Sequence, residues 1–264
     1  LTQTTRTILI TGATSGIGGA TALAFAARGW NVAAVGRNAE ALTELATVTA
    51  QYPGVVLTLS ADVTDRVAMQ TAAAETVARF GALHAVIANA GVGQQGTVVE
   101  ADWAHLDTML RTNIDGVYHT IRATVPHMRQ AGGGQIVIIS SVLATLISPY
   151  YASYTASKAF VASFAKSLRM ELANDHISVT DIRVGRTATA FNARRLGGST
   201  AEKKRSLGIV PVMTPEFVAA GIVRAVERCP KVVYLRLFDR LLAWGGFLTP
   251  GLIGRFTGAQ YKPH

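Results

Sequence analysis

Short aliphatic, β-branched runs alternate along the chain with longer Ala-rich stretches. The runs at 7–11, 31–35, 55–60, 85–89, 135–140, 178–183 and 232–235 predict strands. Most are apolar throughout instead of alternating, the pattern of strands covered on both faces. Stretches 17–28, 39–50, 66–80, 103–128, 152–174 and 215–228 predict helices. Strand–helix–strand repetition implies right-handed crossovers and an α/β fold around a seven-stranded parallel sheet. Ligands of such sheets sit beyond the carboxyl ends of the strands, so those positions carry the candidate chemistry. No repeat or linker divides the 264 residues, and one domain is expected. Two stretches look like additions: a long, basic, Gly-containing segment at 185–211 and a hydrophobic extension at 234–264.

The first strand runs through Thr11 into Gly12-Ala13-Thr14-Ser15-Gly16-Ile17-Gly18 and then into an Ala-rich helix. Glycines allow a tight turn and close approach to a phosphate, and the helix N-terminus offers N–H groups and a positive dipole end. The spacing is Gly-x-x-x-Gly-x-Gly, which also occurs in plain helix caps. Its place after the first strand favours a dinucleotide site and a doubly wound, Rossmann-type domain. An acid at the end of the second strand would select NAD(H). Here the segment reads Ala34-Val35-Gly36-Arg37-Asn38. Arg37 can fork onto a 2′-phosphate or remain a solvated surface charge; the first reading favours NADP(H) over NAD(H). Ser15 can add a hydroxyl contact.

Tyr154 and Lys158 lie four residues apart, on one helix face. An ammonium beside a phenol lowers the phenol's pKa and makes it a usable acid/base. Tyr150 and Tyr151 have no lysine at that offset.

The formal charge of +9 favours anionic partners. The densest basic cluster is Arg194, Arg195, Lys203, Lys204 and Arg205; it lacks interleaved aromatics, so nucleic acid is not expected. No metal site is expected. Cys229, the one cysteine, reads as inert packing and excludes an internal disulfide. The first apolar stretch is too short for a secretory signal, and the longest, 241–254, is shorter than the ~20 residues a membrane span needs. A cytoplasmic protein is expected.

The ordered set of motifs resembles the short-chain dehydrogenase/reductase family. It comprises the turn Thr11–Gly18, Asp62-Val63, Asn89-Ala90-Gly91, Asn113, Ser141, and Tyr154 with Lys158. The likeness runs from about 6 to 189, with a further match at the sixth helix and seventh strand. It implies that Tyr154 is the acid in reduction and the base in oxidation. Lys158 would lower its pKa and hold the nicotinamide ribose, and Ser141, chosen over Ser140 by family spacing, would bind the carbonyl or alcohol oxygen. Asn113 would hold a water linking Lys158 to solvent. Gly12, Thr14, Ser15, Gly16, Ile17 and Gly18 would line the phosphates, Asp62 and Val63 the adenine, and Asn89, Ala90 and Gly91 the adenine-side ribose region. Taken singly, Asp62 reads equally as a helix cap, Ser141 as a turn residue, and Asn113 as a plain polar helix position. Val184 stands where the family has proline, before Gly185; Thr187 and Thr189 remain plausible contacts to carboxamide or phosphates. Arg186 can meet cofactor phosphates, an acidic substrate or solvent.

The resemblance therefore implies an NADP(H)-dependent oxidoreductase, a carbonyl reductase or the reverse alcohol dehydrogenase, acting on a small carbonyl or alcohol substrate. Competing readings are a non-catalytic NADP(H)-binding regulator and a membrane-surface ketoreductase for lipids or acyl thioesters. By the same resemblance, 185–211 contains the family's substrate loop, at 192–210, and its basic cluster invites an acidic substrate. A homodimer or homotetramer is implied. The C-terminal extension can cover a substrate pocket, form a subunit interface, or make peripheral membrane contact.

Overall fold

A computed structural model describes residues 5–197 and 212–258. Seven strands form one parallel sheet in the order β3-β2-β1-β4-β5-β6-β7. They are β1 Thr7–Thr11, β2 Asn31–Gly36, β3 Val56–Ser60, β4 Ala85–Ala88, β5 Gly134–Ser141, β6 Ile177–Val184 and β7 Val232–Tyr234. The order reverses between β1 and β4, which opens a crevice at their carboxyl ends.

Helices α1 (Gly16–Ala26), α2 (Ala39–Thr49), α3 (Arg66–Phe80), α4 (Trp103–Leu110), α5 (Gly116–Gln130), α6 (Ala152–Glu171) and α7 (Pro215–Arg228) cover both faces. On one face, Met69 of α3, Ile121 and Met128 of α5 and Val161 and Ala165 of α6 pack on Leu9, Val86, Ile136, Ile138 and Val179. On the other, Ala22 and Phe25 of α1, Leu42 of α2 and Ile222 and Val226 of α7 pack on Ile8, Ile10, Val32, Val137 and Ile182. Both faces of the inner strands are buried, which is why they read as unbroken apolar runs.

The expected helix at 103–128 is interrupted. A π-helical turn, Arg111–Asp115, separates α4 from α5. Such a turn inserts one extra residue and commonly marks a functional site; Asn113 lies at its centre. Asp65 caps α3 by accepting from the N–H groups of Val67 and Ala68, so Asp62 is not the cap. Cys229 is not buried packing. It is exposed at the left-handed C-cap of α7.

The extension contains two helices, α8 (Leu237–Leu248) and α9 (Pro250–Gly258). Gly246 of α8 lies against the carbonyl of Thr145, in the 3₁₀ turn Val142–Thr145 that follows β5. A side chain there would collide with that backbone. The buried Asp239 is held by a two-pronged ion pair from Arg236 and abuts Gly185, at the end of β6. The extension thus packs beside the carboxyl ends of β5 and β6 and leaves Leu237, Leu241, Trp244, Phe247 and Leu248 exposed. Among the described residues, no helix is long and apolar enough to cross a membrane. Lys203, Lys204 and Arg205 lie outside the described residues.

Ile138 is fully buried between the sheet and α6, the helix carrying Tyr154 and Lys158. Ile138→Ala should cost about 2–5 kcal/mol through lost burial and a residual cavity. Urea unfolding should show a lower midpoint at an unchanged m-value.

Candidate active site

The glycine turn is built for close approach. Gly12 and Gly16 have positive φ angles of 66° and 54°. A Cβ on Gly18 would collide with the Gly12 carbonyl, so only glycine lets α1 start this near the end of β1. Ser15 stands at the N-cap of α1 without making a side-chain cap, leaving the helix's first N–H groups to an outside anion. Thr189 closes over Gly16, whose Cβ would lie 3.1 Å from its methyl group. Arg194 approaches from the same side, donating from Nη1 to Ser15 Oγ at 3.4 Å. Thr14 packs against Gly36 at the end of β2. These residues fit a dinucleotide pyrophosphate: a backbone cradle, an uncapped helix end, and a cation.

At the neighbouring end of β2, Arg37 Nη1 donates to Asp62 Oδ2 at 3.2 Å. Asp62 Oδ1 accepts from the N–H and hydroxyl of Thr64, both at 2.9 Å. Burial works to raise the Asp62 carboxyl, but those hydrogen bonds and the Arg37 charge outweigh it and hold the group below its ordinary value. Residues assigned separately to a 2′-phosphate and to adenine therefore form one ion pair. Val63 is buried, and its carbonyl faces Nδ1 of His119 at 3.0 Å.

Asn89 faces inward. Its Nδ2 donates to the carbonyls of Thr11 at 2.9 Å and Gly12 at 3.3 Å, while Thr11 Oγ1 accepts from the N–H groups of Asn89 and Ala90. The Asn89 side chain thus braces the glycine turn from beneath. Gly91 brings the two halves of the site together. A Cβ there would lie 3.2 Å from Asn113 Oδ1 and 3.4 Å from Lys158 Nζ.

Tyr154 and Lys158 are 9% and 6% exposed. The Ser141 hydroxyl, at the end of β5, is in hydrogen-bonding contact with the Tyr154 phenol. It lies 3.3 Å from Val184 O, an alternative acceptor for its one proton, and accepts from Leu143 N at 3.1 Å. Lys158 Nζ donates to Ile139 O at 3.0 Å. Both ends of the Asn113 amide are taken by protein: Oδ1 accepts from Val92 N at 2.8 Å, and Nδ2 donates to Val92 O and Ser157 Oγ, each at 3.0 Å.

The electrostatics differ from the expectation of a phenol made acidic by its lysine. Burial pushes Tyr154 up to about 12, with the Ser141 hydrogen bond opposing. Burial pulls Lys158 down to about 8, with the Asp181 charge opposing. In a dry site both groups shift toward neutrality, and the Lys158 amine is spent on a carbonyl.

Val184, where the family has proline, is the last residue of β6 and pairs in register with Ser141, so the strand keeps an N–H at the position a proline would remove. Thr187 is buried and bridges to Met213, with its hydroxyl on Gly185 O. It turns toward its own loop, whereas Thr189 meets the glycine turn.

Sequence reasoning passed over a polar network beneath this site. Asp181 is fully buried in β6; its carboxylate accepts from Ser140 Oγ and from Arg183 Nε, the latter at 2.9 Å. Arg183 in turn donates to the Tyr234 hydroxyl at 2.6 Å and stacks over its ring. The signal was available: Asp and Arg two apart in an apolar strand share one face. That face is the one covered by α6.

The family model for short chain dehydrogenases matches residues 6–197, and the chain belongs to that family. It is an oxidoreductase of CH–OH and C=O groups on a fold that binds a nicotinamide cofactor. The chain is 38% identical over 196 residues to sulfoacetaldehyde reductase 2 of Chromohalobacter salexigens, covering 74% of this chain and 77% of that protein. It is 35% identical over 195 residues to 2-(R)-hydroxypropyl-CoM dehydrogenase of Xanthobacter autotrophicus, covering 72% and 78%. A solved short-chain dehydrogenase from Streptomyces avermitilis matches with a TM-score of 0.79 at 28% identity, over 96% of both chains.

An unfolded chain holds the Lys158 proton up to its ordinary value of 10.5, whereas the folded chain releases it near about 8. Between those values the unfolded chain binds more protons, so this group makes stability rise with pH. Tyr154, raised from 10.0 to about 12, acts in the opposite sense between those two values. Denaturant titrations from about pH 7 to 10 should show this gain in the wild type and a clearly smaller one in Lys158→Met.

Proposed function

We propose that the protein is an NADP(H)-dependent carbonyl reductase, working reversibly between a small ketone or aldehyde and its alcohol. The observation that carries this reading is the meeting of Ser141, Tyr154, Lys158 and Asn113 beside an uncapped, glycine-lined helix end. The nicotinamide cofactor supplies or accepts the hydride when bound; the chain's own residues position the reactants and move the proton.

Tyr154 gives its phenolic proton to the substrate oxygen in reduction and removes it in oxidation. The phenol is protonated at neutral pH, and the proton leaves it against the burial that raises its pKa. Ser141 holds the same substrate oxygen through the hydroxyl that touches Tyr154. Lys158 holds the nicotinamide-side ribose, and a charge close to Tyr154 favours the phenolate as the proton leaves. Asn113 secures the Val92 backbone to α6. With its side chain committed, it holds the proton-supplying water through its backbone carbonyl, in the π-helical turn.

Arg37 supports NADP(H), since it is the cation at the end of β2 and no acid occupies that strand end. A 2′-phosphate competes with Asp62 for its fork. The relatives named for sulfoacetaldehyde and for a 2-hydroxypropyl compound support a small carbonyl or alcohol substrate.

A panel of ketones and aldehydes assayed for NADPH consumption tests this reading. Tyr154→Phe should lower kcat by about 10²–10⁴-fold while retaining NADPH binding by fluorescence titration. Cofactor binding with no turnover of any carbonyl by the wild type would instead favour a nucleotide-binding regulator. The kcat/KM ratio of NADPH to NADH should fall roughly 10–100-fold in Arg37→Ala, the value of a charge-assisted phosphate contact.

A further inference from the structure

Beside Tyr154 lies a second cationic arrangement that the hydride chemistry does not use. Tyr151 stands one turn before Tyr154, at the start of α6. Its hydroxyl donates to Gln95 Oε1 at 3.0 Å and accepts from Arg195 Nη1. The Arg195 guanidinium also stacks over the Tyr151 ring, 5.4 Å from its centroid. Gly93 makes room for this: a Cβ there would lie 2.9 Å from the Phe191 ring and 3.3 Å from Arg195 Cγ. The Phe191 ring in turn sits 6.0 Å from that of Tyr154.

Gln95, Tyr151, Phe191 and Arg195 therefore make a wall running directly to the proton donor. Adjacent residues divide the labour, since Arg194 reaches back to Ser15 on the cofactor side and Arg195 reaches forward. We propose that this wall is an anion subsite, and that the substrate is a short carbonyl compound carrying a carboxylate or sulfonate held by Arg195. The proposal rests on the carbonyl-reductase reading for the place of the reacting carbonyl, at Tyr154.

The physical case has three parts. First, Arg195 is half-buried, and none of the ion pairs among the described residues involves it. A guanidinium drawn out of water gains most from an anion that satisfies its remaining N–H donors. Second, the ring and hydroxyl of Tyr151 fix the plane of the fork, and a planar, pre-set fork matches a carboxylate or sulfonate edge. Arg186 adds positive charge: burial raises the Tyr151 phenol, while Arg195 and, more weakly, Arg186 pull against it. Third, one helical turn advances about 5 Å. An anion at Arg195 and a carbonyl at Tyr154 are thus joined by a spacer of only a few bonds, which selects a small acid over a long acyl chain.

The test compares NADPH-dependent turnover of 3-oxobutanoate and its neutral amide by wild type, Arg195→Ala and Arg195→Lys. Wild type should prefer the acid. Arg195→Ala should lower the acid-to-amide kcat/KM ratio about 10–100-fold, mainly through KM, as expected for losing a charge-assisted contact. Arg195→Lys should restore part of it, because it returns the charge without the stacked fork. An unchanged ratio, or a wild type that prefers the amide, overturns the subsite. Calorimetric titration of propane-1-sulfonate into the full chain with NADP⁺ gives a readout free of turnover. Saturable binding that is lost in Arg195→Ala supports the subsite even where neither ketone is reduced, in which case the carbonyl-reductase reading alone fails. Absence of binding to wild type overturns the subsite even where ketones are reduced.

Discussion

A phenol and an ammonium are held out of water on one turn of α6, and the surrounding structure is organised around the cost of keeping them there. Burial drives Tyr154 and Lys158 toward their neutral forms, to about 12 and about 8. Few groups offset it: Ser141 at the phenol, the Ile139 carbonyl at the amine, and the more distant charge of Asp181. Asp181 is itself a buried carboxylate, tolerable only because Ser140 and Arg183 satisfy it. Arg183 is completed by Tyr234, on the last strand. A continuous set of polar contacts thus runs from the edge of the sheet to the face beneath α6.

Irregular backbone supplies the remaining geometry. The glycine turn lets α1 begin almost in contact with the end of β1, and Asn89 braces that turn from the neighbouring strand. The π-helical turn between α4 and α5 brings Asn113 to Val92 and Ser157. Gly91 has no side chain because Asn113 and Lys158 already occupy the space one would fill. Each irregularity sits at the sheet's carboxyl edge, and the regular elements behind it carry the core.

The segments that looked like additions both return to this edge. Residues 185–197 place Thr189 and Arg194 over the glycine turn and Phe191 and Arg195 beside Tyr154. The extension sets α8 against the 3₁₀ turn after Ser141 and Asp239 against Gly185. It therefore packs beside that edge, while its leucines and aromatics leave an exposed, outward face.

The seven strands, their parallel pairing and most helices were legible from the chain, because strands buried on both faces and amphipathic helices impose periodicities that survive in one dimension. Motif spacing likewise singled out the glycine turn and the Tyr154–Lys158 pair, both local features within a single turn or helix. What depended on distant elements was not legible. The break at 111–115, the Arg37–Asp62 pair, the burial that raises Tyr154, and the network through Asp181 all involve contacts between separate elements of the fold. The same holds for Arg195 on Tyr151, two residues 44 positions apart. Local pattern reports which face of an element is apolar. Desolvation and charge pairing depend on what covers that face, and only the assembled sheet decides that.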